Sequence, residues 1–595
     1  MYQKNIKKYT KISELIEKNQ KIVSIFRFII FISSIFFLFF FINKGFINVG
    51  IIVSSILMVI FFGLLKYHVI LKNKNKFYKN LIKINKDELD YLNFKYSDKY
   101  NGNDFLDFNH PYIYDLDLIG EHSVFQYINR TSTSYGIKKL VSWLKTPTFD
   151  KKKIESRQNS VKELMQEHDL RQDFQAFGML ENDPVKDKDG LIEWIDSPNT
   201  FSDNKVFNIL KIVLPTTTFL LIILSIFKPQ FSSLWGLSFL INLGVLGIYY
   251  KKIKLVHDVL SEKTKLLAKY IKQLELIENK DFSSTDLQNL KQKLFQNNIS
   301  ANSQIKKLLK ILNAFDTRFN VFLTFILNGL SLFDFWVIIR LENWKKANKL
   351  VFKDWFEALG KFDAIQSIAT FGYNNSQNIC FPTCQTENFV INAKDMGHPL
   401  IPEKERVNND FEISDFHQFN IVTGANMAGK STFLRTVGVN LVLAMAGAPV
   451  IASKFEFYPV NIRTRIKISD SLFKNESYFY AELKRLKEII EDLEAGKEVF
   501  ILLDEILRGT NSKDKHEGSK KYVEKLLKYK SSGIIATHDL ILGKLQDEYG
   551  KKINNFCFEV EIEKNNLVFD YKLKDGISSK LNASFLMKQM KIIEN

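Results

Sequence analysis

Residues 424–432, Gly-Ala-Asn-Met-Ala-Gly-Lys-Ser-Thr, place two glycines five positions apart and follow the second with a lysine and two hydroxyls. Gly424 and Gly429 allow backbone turns that aim successive N–H groups at a single point, with Asn426 and Met427 between them. Lys430 adds a point charge suited to β- and γ-phosphates, and Ser431 offers an oxygen to Mg²⁺, with Thr432 beside it. The pattern reads as a nucleotide cradle for ATP or GTP. Two further segments carry matching chemistry. The apolar run 499–503 ends in Asp504 and Glu505, and 533–537 ends in His538. Asp504 would hold Mg²⁺, Glu505 would polarise an attacking water, and His538 would contact the γ-phosphate. Lys430, Glu505 and His538 are thus the expected groups for in-line hydrolysis of ATP.

These residues need strands that end side by side. Residues 419–423 are apolar and precede the glycine loop, while 433–441 have the pattern of a helix. Strand, glycine loop and helix, with further apolar runs ending in polar residues, predict an open parallel α/β sheet whose ligand lies at the carboxyl ends of its strands. The expected fold is therefore an α/β P-loop (ABC-like) domain from about 375 to 595.

The loop Thr-Gly-Ala-Asn-Met-Ala-Gly-Lys-Ser-Thr at 423–432 resembles the nucleotide loop of the MutS family of DNA mismatch-repair ATPases. Gly397-His-Pro-Leu400 and Asn408-Asn-Asp410 are similar to the family's approach to that loop, and 504–510 resembles its Asp-Glu-x-x-Arg-Gly-Thr segment. Ser477, Phe479 and Glu482 follow its Ser-x-Phe-x-x-Glu element, and 536–539 its histidine loop. Upstream, Asn129 to Thr133, Gly136, Leu140, Trp143, Leu144, Pro147, Ile154, Arg157 and Gln158 resemble its helical core. The resemblance covers about 120–200 and 250–595. It implies a mostly α-helical core and a homodimer with composite ATP sites, in which Ser477 faces the partner's nucleotide. Read from the residues alone, Ser477 precedes an amphipathic run (Leu483, Leu486, Ile489, Ile490, Leu493) and is either an anion-facing helix start or a simple cap. Leu507 stands where the family has glycine, and Asn511 where it has a small hydroxyl. The family's mismatch-reading module is not recognisable in the first 120 residues.

Those residues hold something else. Residues 28–42 and 46–65 are uncharged and rich in Phe and Ile, and 212–227 and 234–250 repeat the design. Each pair predicts a transmembrane hairpin. Residues 320–341 are also apolar, but Asn328, Asp334 and Arg340 point to a packed core helix. Lysines precede the first segment and follow the second and fourth, so the positive-inside tendency predicts a multi-pass protein of the cell membrane whose ATPase domain is cytoplasmic. Cys380, Cys384 and Cys557 form neither a disulfide framework nor a metal set.

The expected order is a basic tail (1–21), hairpin 1 (22–66), a helical linker (67–119), core (120–205), hairpin 2 (206–250), core and lever (251–374), with helices over 251–278 and 286–312, and the sheet domain (375–595). The net charge of +17 admits DNA as a partner, and Lys263, Lys265, Lys269, Lys272, Lys291, Lys293, Lys306, Lys307 and Lys310 are candidates for a DNA-facing surface. Two functions follow: a membrane-anchored ATPase of DNA mismatch repair or recombination, or the same dimeric engine serving a non-DNA scaffolding or transport task in the membrane.

Overall fold

The computed structural model describes residues 1–181, 190–261, 263–296, 299–467, 478–507, 511–563 and 566–578. Helices α1 (Tyr2–Asn43) and α2 (Ile47–Leu92) form a long antiparallel pair whose outer surface between Ile22 and Ile70 is studded with exposed Phe, Ile and Val. Helices α3 (Lys205–Phe227) and α4 (Ser232–Ser261) form a second pair. All four are long and apolar enough, by length and composition, to cross a membrane.

The linker is helical only as far as Leu92; beyond it the chain runs through turns and one short 3-10 segment before the helix Val124–Ile128. The segment expected as one helix over 251–278 is divided between α4 and Thr264–Asn279, and that over 286–312 between Thr285–Lys293 and Ala301–Phe315. The segment expected as one core helix at 320–341 is broken. Helix α5 (Val321–Ser331) meets α6 (Phe333–Asn374) at an angle of 84°. Leu332 makes the corner in the left-handed region, φ 50° and ψ 43°, a conformation that a bulky residue holds only under constraint from its surroundings.

The 42-residue α6 is the spine of the helical core. Its side chains are buried around most of its circumference from Ala358 to Gly372, packed among Ser134–Lys145, Lys151–Gln166, Thr285–Lys293 and Ala301–Phe315. Close approach requires small residues here: a Cβ on Gly136 would lie 2.2 Å from Asp363 Oδ2. Asp363 in turn accepts from the Ser132 and Thr133 amides and from Thr133 Oγ1, which locks the start of that helix to the spine.

Contacts along the spine fix the direction of both hairpins. Near its C-terminal end, Asn374 accepts from Tyr2 Oη at 2.6 Å and donates to Glu88 at 2.7 Å. Following α2 back toward the first hairpin, Asn85 meets Gln172, Asn80 meets Ala176, Phe77 stacks on Phe177 and Lys76 reaches Glu181. The helix His168–Gly178 they follow contacts the spine first at Thr370, through Arg171, and later, through Ser132, at Asp363. The first hairpin therefore extends toward the N-terminal end of α6. There Phe335 packs on Phe207 of α3 and Tyr249 of α4. The two apolar hairpins leave the core at the same end of the spine.

Beyond the other end lies a six-stranded sheet of β1 (Phe419–Gly424), β2 (Asn461–Arg465), β3 (Val499–Asp504), β4 (Ser531–Thr537), β5 (Ile553–Glu563) and β6 (Asn566–Asp575). Its order is β2-β3-β4-β1-β5-β6, with every neighbouring pair parallel except β5 and β6. Alternate residues serve opposite layers: Phe500, Leu502, Ile534 and Ala536 join the large core on the side of α7 (Lys430–Met445), whereas Val499, Ile501, Leu503 and Ile535 pack with α8 (Tyr478–Glu494) and α9 (Ser512–Leu526). Burial on both faces explains why these strands read as unbroken apolar runs.

Candidate functional site

The order β3-β4-β1 sets three strand tips side by side. β1 runs into the glycine loop, β3 ends at Asp504 and β4 at Thr537, with Asp504 level with Ala536 and Thr537 level with Thr423. Chemistry dispersed over more than a hundred residues of sequence thus converges at the carboxyl edge of the sheet.

The loop has the backbone its glycines imply. Gly424 has φ 152°, and a Cβ there would come within 2.7 Å of the Phe558 carbonyl oxygen. Gly429, at φ 105°, caps α7, whose first N–H groups open toward the loop. Lys430 is buried and its Nζ donates to the Gly424 and Ala425 carbonyls, each at 2.8 Å, with the His538 ring at 3.4 Å. Ser431 Oγ donates to Asp504 Oδ2. His538 Nε2 lies 3.0 Å from Glu505 Oε1 and 2.6 Å from Asn426 Oδ1, so this nitrogen carries a proton toward two acceptors. Glu505 itself sits at φ 52° with its amide donating to the Ala536 carbonyl, a left-handed step that turns its carboxylate off the strand axis.

Lys430, Ser431, Asp504, Glu505, His538 and Asn426 are therefore neighbours around one cavity of about 660 Å³, whose wall also includes Met427, Gly429 and Thr432. Gly424 lies at the base of the loop. Ser477 falls outside the described residues, as do 508–510. Its companion Glu482 is described: buried, it accepts from the Leu507 amide at 3.0 Å and ties the start of α8 to the loop after Glu505.

The opposite wall is built from residues that spacing did not mark as site residues: Met396, His398, Glu405, Arg406, Phe558 and Tyr571. Gly397-His-Pro-Leu400 stood out as a motif, yet only the fold carries it across the cavity. His398 Nδ1 accepts from the Leu400 amide, which leaves the proton on Nε2. That atom is buried with no partner among the described residues, and burial with the charges of Arg435 and Arg406 pushes the imidazole pKa down to about 3. A neutral ring in the cavity wall, across from a cradle of loop amides, a lysine and a Ser–Asp oxygen pair, fits a phosphorylated ligand with a divalent cation.

The sheet domain is joined firmly to the core. Asp115 accepts from Thr464 Oγ1 and the Lys467 amide, Arg435 of α7 pairs with Asp117, and Arg157 donates to the Ala446 carbonyl while stacking on Trp143. The start of α7 is thus held between the site and residues of the helical core.

Two of the lysines proposed for one DNA-facing surface are turned inward. Lys263 and Lys269 are buried, the latter donating to the Ser132, Gly178 and Glu181 carbonyls. Lys272 and Lys306 pair with Glu275, and Lys291 pairs with Asp281.

A parallel-sheet domain with a glycine loop at its carboxyl edge, carried on a helical core, defines the class of architecture. The family profile for MutS domain III matches residues 113–493, and that for MutS domain V matches 420–593. The chain belongs to the MutS family. It is 27% identical to the DNA mismatch repair protein MutS of Finegoldia magna over 558 residues, which is 83% of this chain and 61% of that protein. It is 33% identical over 230 residues to the MutS protein of Persephonella marina and 30% identical over 241 residues to that of Thermotoga maritima, covering 26% and 29% of those proteins. The chain thus spans less than two thirds of the curated relatives it matches.

Proposed function

We propose that this MutS-family protein is an ATP hydrolase, anchored in the cell membrane by its two hairpins, whose ATP cycle acts on DNA in mismatch repair or recombination. The observation that carries the enzymatic part is the convergence of Lys430, Ser431, Asp504, Glu505 and His538 on one cavity. Lys430 would exchange its two loop carbonyls for β- and γ-phosphate oxygens. Ser431 and Asp504, already joined by a hydrogen bond, would hold Mg²⁺ between them. When bound, Mg²⁺ neutralises charge developing on the phosphates. Glu505, held off the strand axis by its left-handed backbone, would orient and polarise a water, and His538 would steady that carboxylate and contact the γ-phosphate. A homodimer would complete each site with Ser477 from the partner.

The membrane anchor rests on the exposed Phe and Ile of both hairpins and on their leaving the core at one end of α6, which lets a single bilayer receive both. The sheet domain then lies on the side of the membrane where ATP is available.

DNA as the partner rests on the family and on its relatives being DNA mismatch repair proteins. The burial of Lys263 and Lys269, which removes two cations from the candidate surface, favours a second reading, in which the engine moves or scaffolds a membrane component instead.

One assay tests both. ATP turnover by the detergent-solubilised protein is measured alone and with homoduplex, mismatched and branched DNA at moderate salt. The Lys430→Ala variant is expected to lose turnover, and retention of it would overturn the site. A change of rate with any DNA supports the first reading; robust turnover indifferent to all three overturns it in favour of the second.

A further inference from the structure

Helix α5 has 11 residues and rises about 16 Å, too short for a hydrocarbon core of about 30 Å. Its sequence, Val-Phe-Leu-Thr-Phe-Ile-Leu-Asn-Gly-Leu-Ser, contains no charge. Val321 is 81% exposed and Phe322 75%, with Phe319 just before them at 73% and Phe325 at 51%. So much aromatic surface facing outward on a short helix needs an apolar neighbour.

The contacts of this segment with α4 trace a path in and out. Phe319 packs on His257, Phe325 on Phe239, the Gly329 carbonyl accepts from Asn242, and Phe335 returns to Tyr249. From the level of His257 to that of Asn242 is about 22 Å along a helix at 1.5 Å per residue. The chain runs inward along the second hairpin, turns through 84° at Leu332, and the first turn of α6 brings it back to the level of Tyr249.

A corner at that depth leaves backbone groups without helical partners, which hydrocarbon does not tolerate. The structure supplies the partners from side chains. Asn242 Nδ2 donates to the Gly329 carbonyl at 2.7 Å and to Thr218 Oγ1 at 3.0 Å, and Asn328 Oδ1 accepts the Asp334 amide at 2.9 Å. Asn242 and Asn328 are almost wholly buried within otherwise apolar helices, and Asp334 faces Arg318 at 3.4 Å. Gly329 admits the close packing, since a Cβ there would lie 2.1 Å from the Phe239 ring.

We infer that residues 319–341 form a re-entrant loop that dips into the lipid bilayer beside the second hairpin, with Phe319, Val321, Phe322 and Phe325 against acyl chains, so that the spine helix α6 is itself rooted in the membrane. The inference rests on the membrane reading of the hairpins and adds a fifth lipid-facing helix, α5, joined at the Leu332 corner to the spine that runs on toward the nucleotide domain.

The test uses the full chain with Cys380, Cys384 and Cys557 replaced by alanine, reconstituted in phosphatidylcholine–phosphatidylglycerol vesicles. Nitroxide labels are placed singly through Phe322→Cys and Phe325→Cys. Phe36→Cys and Phe219→Cys serve as hairpin references and Leu350→Cys, 88% exposed farther along α6, as the aqueous one. Collision with oxygen is compared with collision with a water-soluble nickel chelate. The labels at 322 and 325 are expected to favour oxygen as those at 36 and 219 do, with 350 favouring nickel. If 322 and 325 favour nickel while 36 and 219 favour oxygen, the re-entrant loop is overturned and the hairpin anchor stands. If all positions favour nickel, both fall. Monodisperse elution of each labelled protein guards against misfolding, and two loop positions keep the result independent of either one.

Discussion

Lys430 and Lys269 are both buried lysines whose ammonium groups donate to backbone carbonyls, yet they belong to different kinds of site. Lys430 reaches two carbonyls of a glycine loop and stands in the wall of a large cavity beside His538. Lys269 reaches three carbonyls, of Ser132, Gly178 and Glu181, deep in the helical core, where it joins three segments. The carboxylates repeat the contrast. Glu505 shares the cavity with a histidine, whereas Glu88 is sealed against Arg130, 2.7 Å away, under the Tyr91 ring. Burial and hydrogen bonding alone do not separate a working group from a structural one. The separating feature is an open volume on one side, where a ligand can replace the protein's own acceptors.

That contrast breaks if the cavity group proves structural or the sealed group proves catalytic. Glu505→Gln keeps shape and hydrogen bonding but removes the basic oxygen, and should lower kcat about 10³-fold with an unchanged unfolding midpoint. Loss of stability with normal turnover would reverse the assignment. Glu88→Ala should do the opposite. It strands the buried Arg130 guanidinium and should destabilise the fold by about 3–5 kcal/mol in urea titration, while turnover per folded molecule stays near wild type. Because Glu88 also accepts from Asn374, the same variant should expose the α1–α2 pair to limited proteolysis before the sheet domain.

Lys269→Met sharpens the comparison with Lys430. It preserves length and apolar bulk but leaves three carbonyls without their donor, and should destabilise by about 3 kcal/mol. Equal loss of turnover in Lys269→Met and Lys430→Ala at full folding would mean that the helical core gates the site directly.

The parts of this molecule legible in sequence are those whose physics is local. A glycine loop, a lysine one step past it and carboxylates at the tip of an apolar strand are set by residues within one turn of each other. Their meeting also follows, because a parallel sheet brings strand tips to one edge. The far wall is different. His398, Arg406 and Tyr571 meet the loop only through packing of the strands that precede β1 and of β6, and no short spacing encodes it. The corner at Leu332 is hidden in the sequence for a related reason. Asn328 and Asp334 are what a packed core helix would carry, and only the bond from the Asp334 amide to Asn328 Oδ1 reveals that Asn328 satisfies a break. The lysines from Lys263 to Lys310 misled because lysine content does not specify which side chains a helix turns inward. Lys269 turned inward.

His398 tests the cavity side of the contrast by a titration. Its folded pKa, near 3, lies below the ordinary histidine value of about 6.5, so the unfolded chain binds a proton that the folded chain refuses. The sign follows from linkage: above pH 6.5 the ring is neutral in both states and adds no pH dependence, and as pH falls below 6.5 the folded state loses stability. At pH 5 the loss should be about 2 kcal/mol. His398→Gln removes the titration and leaves the other ionising groups in place, so the stability difference between wild type and variant should shrink by that amount between pH 7 and pH 5 in urea unfolding. The same ring lines the cavity, so saturating ATP at pH 7 should raise the unfolding midpoint of wild type more than that of the variant. A pH-independent difference between the two proteins would place the ring in contact with solvent, and an equal ATP shift would remove it from the nucleotide wall.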